Sequence, residues 1–416
     1  MRITLLSYGS RGDVQPFLAL AVGLKKAGHT VTLAAPHRFA DFVAQYGILF
    51  APLAGDPEEI SRIMNDAGGN NYRMIMGMKS YIFDIAPQVV RDARAAIAGA
   101  EMLVHGFLFT TGAHTFAREL GIPDVSVQTF PMFMPTRAFP NVALANMKPG
   151  CLNYFSHWLA TQIFWYGGNS GYYQLRRRFL ANLPEKLYWP FTPTPERPLT
   201  PLLFAYSPTV LPRPAEWTAR SLHITGYFFM EGGQKYQPPA PLTDFLALGD
   251  APVCVSFGSM VNRDADRVHQ IVREALALMH RRGIFLTGWG ENLHTDANED
   301  VLYLDEAPHD WLFPRCKAII HHGGAGTTAA GLRSGKPSII VPHIGDQPFW
   351  GKRVAALGAG PDPIPVKQLT TQRLVAALEQ ADEQAIRVRA QEVGRLIQQE
   401  DGVGEALHVI ESMVQP

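Results

Sequence analysis

The chain has 416 residues, of which 47% are hydrophobic and 18% are charged, and its 37 Lys and Arg residues balance 37 Asp and Glu residues. A net charge of zero argues against a nucleic-acid partner, since such proteins carry a basic excess, and against an acidic, disordered chain. At about 100–200 residues per domain, the length predicts two domains, with three as the alternative.

Cysteine usage and the N-terminal segment bear on the compartment. Cys151, Cys254 and Cys316 lie far apart without a metal-ligand spacing, which is typical of free thiols in a reducing cytosol. The apolar run in "MRITLLSYGSRGD" is too short for a signal peptide. The nearest approach to the roughly 18–20 apolar residues of a membrane helix, "CLNYFSHWLATQIFWYGG", contains several polar side chains. We expect a soluble, cytoplasmic protein, and contact with a membrane surface remains open.

The first half of the chain alternates between short apolar runs and helical patterns. Predicted strands cover residues 2–9, 30–37, 48–54, 101–109 and 123–130, and predicted helices cover 14–28, 38–47, 86–100 and 112–121. Such alternation predicts a parallel sheet that is covered by helices on both faces. Residues 130–200 break the pattern, because they are rich in aromatic residues, Met and Pro and show weak periodicity.

A second alternation follows a Gly- and Pro-rich segment. One predicted strand, 221–228, precedes that segment; the strands after it cover residues 252–259, 283–290, 301–307, 317–324 and 337–345, with helices between most of them. We predict an N-terminal domain over 1–230, a linker over 231–246, a second domain over 247–398, and a C-terminal helix within 399–416 that packs back on the first domain. Two doubly wound domains in tandem predict a cleft at the carboxyl ends of both sheets.

The densest motif is "KAIIHHGGAGTTAAGLRSGKPSIIVPHIGDQPFWGKRV", residues 317–354. A buried strand ends in a His pair, and small residues then open a helix. Successive N–H groups at a helix N-terminus favour an anion, which indicates a phosphate site. The alternative is a tight turn that packs helix against strand.

One strand later, Asp346 and Gln347 follow the run "PSIIVPHI". A carboxylate beside an amide offers acceptors and donors together, which suits the hydroxyl groups of a sugar. Asp346 can equally serve as the N-cap of the next helix.

These residues carry a family resemblance. The stretch "PHDWLFPRCKAIIHHGGAGTTAAGLRSGKPSIIVPHIGDQPFWG" resembles the donor box of family 1 nucleotide-sugar glycosyltransferases. It is most similar to the sterol 3β-glucosyltransferase branch and its bacterial relatives, and near to the glycopeptide-antibiotic glycosyltransferases; "GSRGDVQP" matches the same branch. The resemblance implies the α/β GT-B fold, with two Rossmann-like domains facing across a cleft, 1–230 binding the acceptor and 247–398 the donor.

The resemblance also implies donor-site roles for residues of both domains. His321 and the amides of Gly323, Gly324, Ala325, Gly326 and Thr327 hold the diphosphate, which Ser259 reaches from the first strand of the second domain. Asp346 and Gln347 contact the sugar, and Ala307 and His309 lie beside the base and ribose. Trp289 flanks the nucleotide, and Ser10 and Arg11 reach the phosphates, although a solvated Arg11 is an equal alternative. The implied co-substrate is UDP-glucose, with no other cofactor.

The sequence departs from the plant members at two positions. Glu306 stands where they have a Trp that stacks on uracil, and Ala329 or Ala330 stands where they have a Glu that binds the ribose. The sterol branch shares both absences. We expect no metal site, since the "DAD" of residues 264–266 sits at the start of a helical pattern, where an N-cap is the simpler interpretation.

The first turn of the chain carries the predicted catalytic base. Transfer of glucose to an alcohol requires a base near the hydroxyl proton, and many family members supply a His in the pattern Gly-His-x-x-Pro. This chain has "GDVQP", so the resemblance assigns the base to Asp13. The alternative is an N-cap for the helix that follows, which would lower its pKa.

The acceptor side is predicted from composition alone. Met and aromatic residues concentrate in the region outside the regular alternation, and such side chains form adaptable apolar surfaces. We name Met76, Phe130, Phe133 and Trp158 as acceptor-binding candidates, with core packing as the alternative for each. His105 follows a predicted strand, and a structural role is preferred to a cleft-facing one.

The leading hypothesis is an inverting UDP-glucose-dependent transferase acting on a lipophilic acceptor such as a sterol or triterpenoid. The nearest alternative is an antibiotic or polyketide glycosyltransferase that uses a dTDP- or UDP-sugar. A third hypothesis is a non-catalytic auxiliary protein of the same fold. The expected partners are a small-molecule donor and a lipophilic acceptor, with no nucleic acid.

Overall fold

The computed structural model describes residues 1–66, 71–145, 150–180, 183–191, 199–231, 236–257, 265–287 and 299–413. The chain divides into two compact units. The first unit comprises residues 1–208, 213–230 and 401–416, and the second unit comprises residues 209–212 and 231–400.

A seven-stranded parallel sheet forms the centre of the first unit. Its strands are β1 (Arg2–Leu6), β2 (Thr30–Pro36), β3 (Leu49–Leu53), β4 (Met102–His105), β5 (Asp124–Gln128), β6 (Leu202–Phe204) and β7 (Leu222–Ile224). They lie in the order β3-β2-β1-β4-β5-β6-β7. This order confirms the predicted parallel sheet. Its strands are runs of buried apolar residues, and such strands need helices on both faces of the sheet.

Helices cover the sheet of the first unit on two faces. They are α1 (Arg11–Lys26), α2 (Ala40–Ala44), α3 (Pro57–Asp66), α4 (Asn71–Ala96), α5 (Thr110–Leu120), α6 (Asn153–Arg178) and, much later in the chain, α14 (Gly402–Ser412). One apolar core joins α1 and α14 to the sheet, and a second core joins α4, α5 and α6 to it.

The second unit repeats the plan on a smaller scale. Its five parallel strands are β8 (Val253–Ser256), β9 (Gly283–Leu286), β10 (Val301–Leu304), β11 (Ala318–His321) and β12 (Ser338–Ile340), in the order β10-β9-β8-β11-β12. Its helices are α7 (Ala240–Ala247), α8 (Ala265–Leu278), α9 (His309–Leu312), α10 (Ala325–Arg333), α11 (Gln347–Ala356), α12 (Thr371–Asp382) and α13 (Gln384–Gln398).

Both sheets reverse their winding at a central strand. In the first unit the chain moves from β1 outward through β2 and β3, and then restarts at β4 on the other side of β1. In the second unit it moves from β8 through β9 and β10, and then restarts at β11. In open α/β sheets, ligands bind beyond the carboxyl ends of the strands at this reversal. Ligands are therefore expected at the loops after β1, β4, β8 and β11.

The helix α14 belongs to the core of the first unit. Ala406 and Ile410 are buried in the same cluster as Leu18 and Leu20 of α1. Gly402 begins α14 against the backbone of residues 226–227, where its ideal Cβ would lie 2.5 Å from the Tyr227 carbonyl oxygen. The first unit thus acquires part of its core from a segment that follows the second unit in the chain.

Several elements differ from the sequence-based expectation: α3, β6 and α7 were not predicted, and α6 and α4 differ more widely. Residues 153–178 form the 26-residue helix α6, although weak periodicity left this region unassigned. The helix α4 begins at Asn71 and continues through Pro87, so it is longer than the predicted helix over 86–100. Within the part of the chain that the structure describes, no helix is both long and apolar enough to cross a bilayer.

Candidate active site

Asp13 lies in the first turn of α1, directly after the central strand of the first unit. The N-cap of this helix is Ser10, so Asp13 occupies the third helical position and is not the N-cap that the sequence suggested. One carboxylate oxygen, Oδ2, accepts hydrogen bonds from the Ser10 N–H at 2.8 Å and from the Ser10 Oγ at 3.0 Å. The bond from the Ser10 N–H is the carboxylate half of a capping box, and the two bonds together fix the direction of the carboxylate.

The backbone before α1 makes room for this carboxylate. Gly9 has a φ of +136°, which L side chains rarely adopt. A Cβ at Gly9 would overlap with the Asp13 carboxylate. Gly9 therefore leaves the space that the Asp13 carboxylate occupies.

Burial raises the pKa of Asp13 above its ordinary value, and the hydrogen bonds from Ser10 oppose this rise. The side chain keeps part of its surface accessible, while protein atoms surround the rest. The sequence had suggested that helix capping would lower the pKa; desolvation outweighs that effect here. A carboxylate with a raised pKa is better suited to accept a proton near neutral pH.

Arg11 extends along the surface of α1. Its guanidinium lies 4.9 Å from the centre of the Phe42 ring, and its Nε donates to Gln15 at 3.2 Å. The predicted contacts of Ser10 and Arg11 with donor phosphates stay predictions.

Aromatic side chains gather beyond β4 and β5, on the same edge of the sheet as Asp13. Phe107 follows β4, and its ring lies 5.2 Å from Phe130 and 5.4 Å from Phe133. Phe133 in turn lies 4.8 Å from Phe164 of α6 and 5.0 Å from Trp189. We call these five rings the aromatic cluster. It brings together two of the predicted acceptor residues, Phe130 and Phe133.

The other two acceptor candidates stand apart from the aromatic cluster. Met76 on α4 is 46% exposed and Trp158 on α6 is 51% exposed. The Trp158 ring stacks on the ring of Phe155 at 5.5 Å. Their predicted role in acceptor binding stays a prediction.

His105, at the end of β4, is fully buried in a polar cluster beneath α5. The Asp124 Oδ2 lies 3.2 Å from the His105 Nε2 and 2.9 Å from the His114 Nδ1, and it accepts a hydrogen bond from the Thr200 Oγ1. Burial opposes ionisation of Asp124, yet hydrogen bonds from the two histidines hold its pKa below the ordinary value. These contacts agree with a structural role for His105.

In the second unit, residues 323–327 follow β11 and include the N-cap and the first turn of α10. We call this segment the glycine loop. Gly324 is the N-cap of α10, and Gly326 stands where an added Cβ would meet no atom within 4 Å. The first N–H groups of a helix lack intrahelical acceptors, so the loop presents donors beside open space. An anionic group fits this environment.

The glycine loop also lies close to the first residue of α11. Gly323 has a φ of +89°, and a Cβ there would lie 3.1 Å from the Gln347 carbonyl oxygen and 2.6 Å from the Ile340 Cγ2. Only glycine fits this position without displacement. The structure thus brings the predicted phosphate motif and the predicted sugar-binding pair into contact.

His321, the last residue of β11, is completely buried. Its Nδ1 accepts a hydrogen bond from the Gly323 N–H at 3.1 Å. Burial, and then the neighbouring His322 and His309, lower the pKa of His321 well below its usual value, so the ring is neutral. The proton of the neutral ring therefore resides on Nε2. His321 holds the glycine loop through Nδ1, and its predicted contact with the diphosphate stays a prediction.

His322 is a residue whose role the sequence did not assign. Its Nε2 would lie 2.5 Å from a Cβ on Gly324, so the ring packs against the N-cap of α10. Burial, and then the nearby His343, lower its pKa to about 4. The sequence signal for such a role was the doubled His that precedes the glycines.

Asp346 and Gln347 are both oriented by hydrogen bonds. The Asp346 Oδ2 accepts from the indole Nε1 of the buried Trp350 at 2.8 Å, although Asp346 also occupies the N-cap position of α11. The Gln347 Oε1 accepts from the backbone N–H groups of His343 and Ile344 at 2.8 and 3.0 Å. Because these hydrogen bonds already orient both side chains, less conformational entropy is lost when they bind a sugar.

The remaining predicted donor residues lie on other segments. Ala307 is buried, and the His309 ring stacks on Phe313 with ring centres 4.2 Å apart. Ser259 and Trp289 lie outside the described residues. Among the residues whose placement is described, no group of three or more His, Cys, Asp or Glu side chains is arranged to hold a metal ion.

Comparison with known families gives two partial matches. The model of the glycosyltransferase family 28 N-terminal domain matches residues 3–112. The model of the erythromycin biosynthesis protein CIII-like C-terminal domain matches residues 292–400. The first match includes Asp13, and the second includes the glycine loop and the Asp346–Gln347 pair.

Whole-chain relatives are found among curated proteins. The chain is 33% identical to the sterol 3-beta-glucosyltransferase UGT80B1 of Arabidopsis thaliana, covering 100% of this chain and 68% of that protein. It is 35% identical to UGT80A2 of the same plant, covering 98% and 64%. A Neurospora crassa sterol 3-beta-glucosyltransferase is 34% identical, but the chain spans 27% of its length.

Solved structures support the fold. A glycotransferase of kitacinnamycin superposes with a TM-score of 0.68 at 20% identity, covering 99% of this chain and 98% of that one. Glycosyltransferase VinC, in complex with dTDP, gives a TM-score of 0.66 at 18% identity, with 99% and 100% covered. These likenesses confirm the α/β GT-B fold that the resemblance implied.

Proposed function

The chain belongs to the sterol 3-beta-glucosyltransferase family, and from this premise we propose that it is an inverting enzyme that transfers glucose from UDP-glucose to a hydroxyl group of a lipophilic acceptor. A sterol or a similar polycyclic alcohol is the acceptor class that the family name suggests. The chain spans only 27–68% of the relatives named above, so their whole activities are not carried over.

The observation that carries this proposal is the contact between Gly323 and the backbone of Gln347. It sets a loop suited to phosphate beside a pair of side chains suited to a sugar. A nucleotide sugar presents these two groups next to each other. The N–H groups of the glycine loop and the N-terminus of α10 would stabilise the departing UDP.

Asp13 is proposed to accept the acceptor's hydroxyl proton. As the proton moves to its carboxylate, the acceptor oxygen forms a bond to the anomeric carbon from the face opposite the diphosphate. The bond between the anomeric carbon and the diphosphate oxygen breaks, and UDP leaves with that electron pair. An α-linked donor then gives a β-glucoside. The capping box around Asp13 supports this role because it fixes the carboxylate before substrate binds.

The aromatic cluster supports a lipophilic acceptor. Its rings lie beyond β4 and β5, next to the strand that leads into the Asp13 turn. Aromatic surface of this kind binds apolar rings at low entropic cost. A flat polycyclic alcohol would place its hydroxyl at the edge of such a surface.

The test incubates the protein with UDP-glucose and a panel of sterols, triterpenoids, flavonoids and macrolides, and follows the gain of one hexose mass. We expect gain on a sterol or triterpenoid, a β-anomeric product by NMR, and no loss of activity after chelation of divalent metals. A parallel reaction with dTDP-glucose tests the donor. Preference for the dTDP-sugar and a macrolide would replace the proposal by the antibiotic-type alternative.

A catalytically silent protein is the remaining possibility. It would bind UDP and yield no glucoside with any acceptor. If wild-type protein and the Asp13→Asn variant were equally inactive across the panel while both bound UDP, the enzymatic assignment would fail.

A further inference from the structure

The helix α6 presents an aromatic surface to solvent. Among the residues that the structure describes, the exposed aromatic side chains all lie on α6 or on Phe179, the residue that follows it. On α6 they are Tyr154, Phe155, Trp158, Tyr166 and Tyr173, between 48% and 68% exposed. Continuous exposed apolar surface of this kind marks an interaction site more often than chance exposure.

The exposed residues form a stripe with the period of a helix. Phe155, Ile163, Tyr166 and Tyr173 are separated by eight, three and seven residues, so they fall on one face of α6. The opposite face packs Ser156, Ala160 and Leu175 into the unit. We call the exposed stripe the outer face of α6. At 26 residues the helix is long enough for this face to extend about 39 Å.

The charges on α6 are of one sign and at one end. Its sequence, "NYFSHWLATQIFWYGGNSGYYQLRRR", contains no Asp or Glu and closes with Arg176, Arg177 and Arg178. Arg177 and Arg178 are exposed, and the Arg178 guanidinium lies 5.6 Å from the Phe83 ring of α4. Arg176 is instead anchored to the Leu183 carbonyl oxygen at 3.0 Å.

The neighbouring helix extends the same surface. The rings of Phe83 on α4 and Phe179 lie 5.8 Å apart, and the adjacent Ile82 is 50% exposed. The apolar surface and the arginines are therefore continuous at the C-terminal end of α6.

We propose that the outer face of α6 docks the protein on the surface of an anionic lipid bilayer, with the helix lying in the plane of the interface. Tyr and Trp side chains suit this depth because one end is apolar and the other polar. Exposed arginines with no acidic residue on the same helix complement anionic headgroups.

Such docking would give access to an acceptor dissolved in the bilayer, a benefit that rests on the proposed function. The docking itself depends only on α6 and α4. Vesicle binding can therefore be measured whether or not glucose transfer is observed.

The experiment measures flotation of the full chain with vesicles of phosphatidylcholine alone and vesicles in which part of that lipid is replaced by phosphatidylserine. We expect flotation with the phosphatidylserine vesicles and a decline as salt increases. The triple variant Ile163→Ser/Tyr166→Ser/Tyr173→Ser should reduce the partition coefficient more than about tenfold. The matched control, Leu248→Ser/Leu278→Ser/Val388→Ser, removes side chains of comparable exposure from the second unit and should float as wild type does.

The charge contribution is tested separately. Arg177→Gln/Arg178→Gln should reduce binding to phosphatidylserine vesicles about fivefold per arginine, whereas the control Lys26→Gln/Lys367→Gln should not. Circular dichroism checks that each variant is folded. Equal flotation with both vesicle types would overturn the proposal, and so would wild-type flotation of the triple variant. A dimer in sedimentation equilibrium that the triple variant dissociates would assign the outer face to a second copy instead.

Discussion

The two units wind their sheets in the same way but place opposite chemistry at the point of reversal. After β1, the first unit turns through Gly9 and holds a carboxylate, Asp13, in hydrogen bonds from its own backbone. After β11, the second unit turns through Gly323 and presents helix N–H groups beside open space, with neutral histidines behind them. One turn supplies its own anion, and the other is arranged to receive one.

This difference teaches that one topology can hold opposite chemistry beside its point of reversal. A turn that already contains a carboxylate repels a phosphate, and it suits a neutral hydroxyl that must lose a proton. A turn of bare amides suits the phosphate and offers no base. The contrast rests on a few side chains at the strand ends beside each reversal, so substitutions at those positions test it directly.

The largest expected effect is on Asp13. Asp13→Asn removes the proton acceptor while an amide of equal size keeps much of the capping geometry. We expect turnover to fall about 10²–10⁴-fold, with UDP affinity near that of wild type. Steady-state kinetics and calorimetric titration with UDP measure the two quantities.

The matched control for this substitution is Asp41→Asn, which neutralises an exposed carboxylate in the first turn of α2. It should leave turnover within about twofold of wild type. If Asp13→Asn turned over as fast as this control, the Asp13 carboxylate would have a role only in capping the helix.

The second-largest effect is expected at the buried His–Asp–His cluster of the first unit. Asp124→Asn leaves His105 and His114 without their anionic partner, and loss of one partner from a buried ionic group costs about 3–5 kcal/mol. The free energy of unfolding from urea titrations should fall accordingly. The exposed Asp84→Asn is the control, and equal stability of the two variants would contradict the assignment.

The pH dependence of this cluster has a definite sign. Because the pKa of Asp124 is held below its unfolded value, its contribution to stability is present above the unfolded pKa and is lost as pH falls through the folded value. Wild-type unfolding measured between pH 7 and pH 3 should show this loss, and Asp124→Asn should lack it.

The glycine loop offers two substitutions with opposite effects on stability. Gly323→Ala introduces a Cβ at a positive φ and against the Gln347 carbonyl oxygen, and should destabilise the second unit by about 1–3 kcal/mol. Gly326→Ala meets no protein atom and should stabilise α10 by up to about 1 kcal/mol.

UDP binding distinguishes the glycine loop from a purely structural turn. The methyl group of Gly326→Ala would occupy the open space beside the amides, so we expect UDP affinity to fall about tenfold in a protein at least as stable as wild type. Thermal unfolding and UDP titration of one preparation give both numbers. Unchanged UDP affinity would show that the phosphate does not bind at the glycine loop.

A smaller effect is expected from pH on donor binding. The pKa of His322 is lowered to about 4 in the free protein, and a diphosphate nearby would raise it. Binding should therefore take up protons, so UDP affinity should increase several-fold between pH 7.5 and pH 6. Titrations in two buffers of different ionisation enthalpy detect the uptake, and His322→Gln should reduce it.

The smallest expected effect is on the acid limb of the rate profile. The Ser10 side chain lowers the pKa of Asp13, against the larger effect of burial. Ser10→Ala removes that hydrogen bond, so the acid limb of kcat/KM should move to higher pH, by less than about one unit. A shift to lower pH would show that another group controls the limb.

The sequence was sufficient for the alternating elements and for the family, because buried parallel strands have continuous apolar runs and the glycine loop has a long motif. It did not reveal α6. Residues on several sides of that helix are apolar, and Gly167, Gly168 and Gly171 interrupt it, so neither the period nor the propensity of a helix stands out. The weak pattern reflects a helix with an apolar inner face and an apolar outer face.

Side-chain roles were harder to predict than elements. Sequence placed Asp13 at the N-cap, whereas Ser10 holds that position, because a one-turn shift in a helix start depends on local hydrogen bonds. It also assigned no role to His322, whose ring packs against Gly324, because contacts of this kind depend on the tertiary fold.

The return of α14 to the first unit has a consequence for biosynthesis. On the ribosome, residues 231–400 emerge as one almost continuous block that can complete its own sheet. The first unit emerges earlier but must wait for residues 402–412 before Ala406 and Ile410 can fill its core. During that interval the apolar surface of α1 is uncovered, and a nascent chain that stalls before residue 402 would be a substrate for chaperones and proteases.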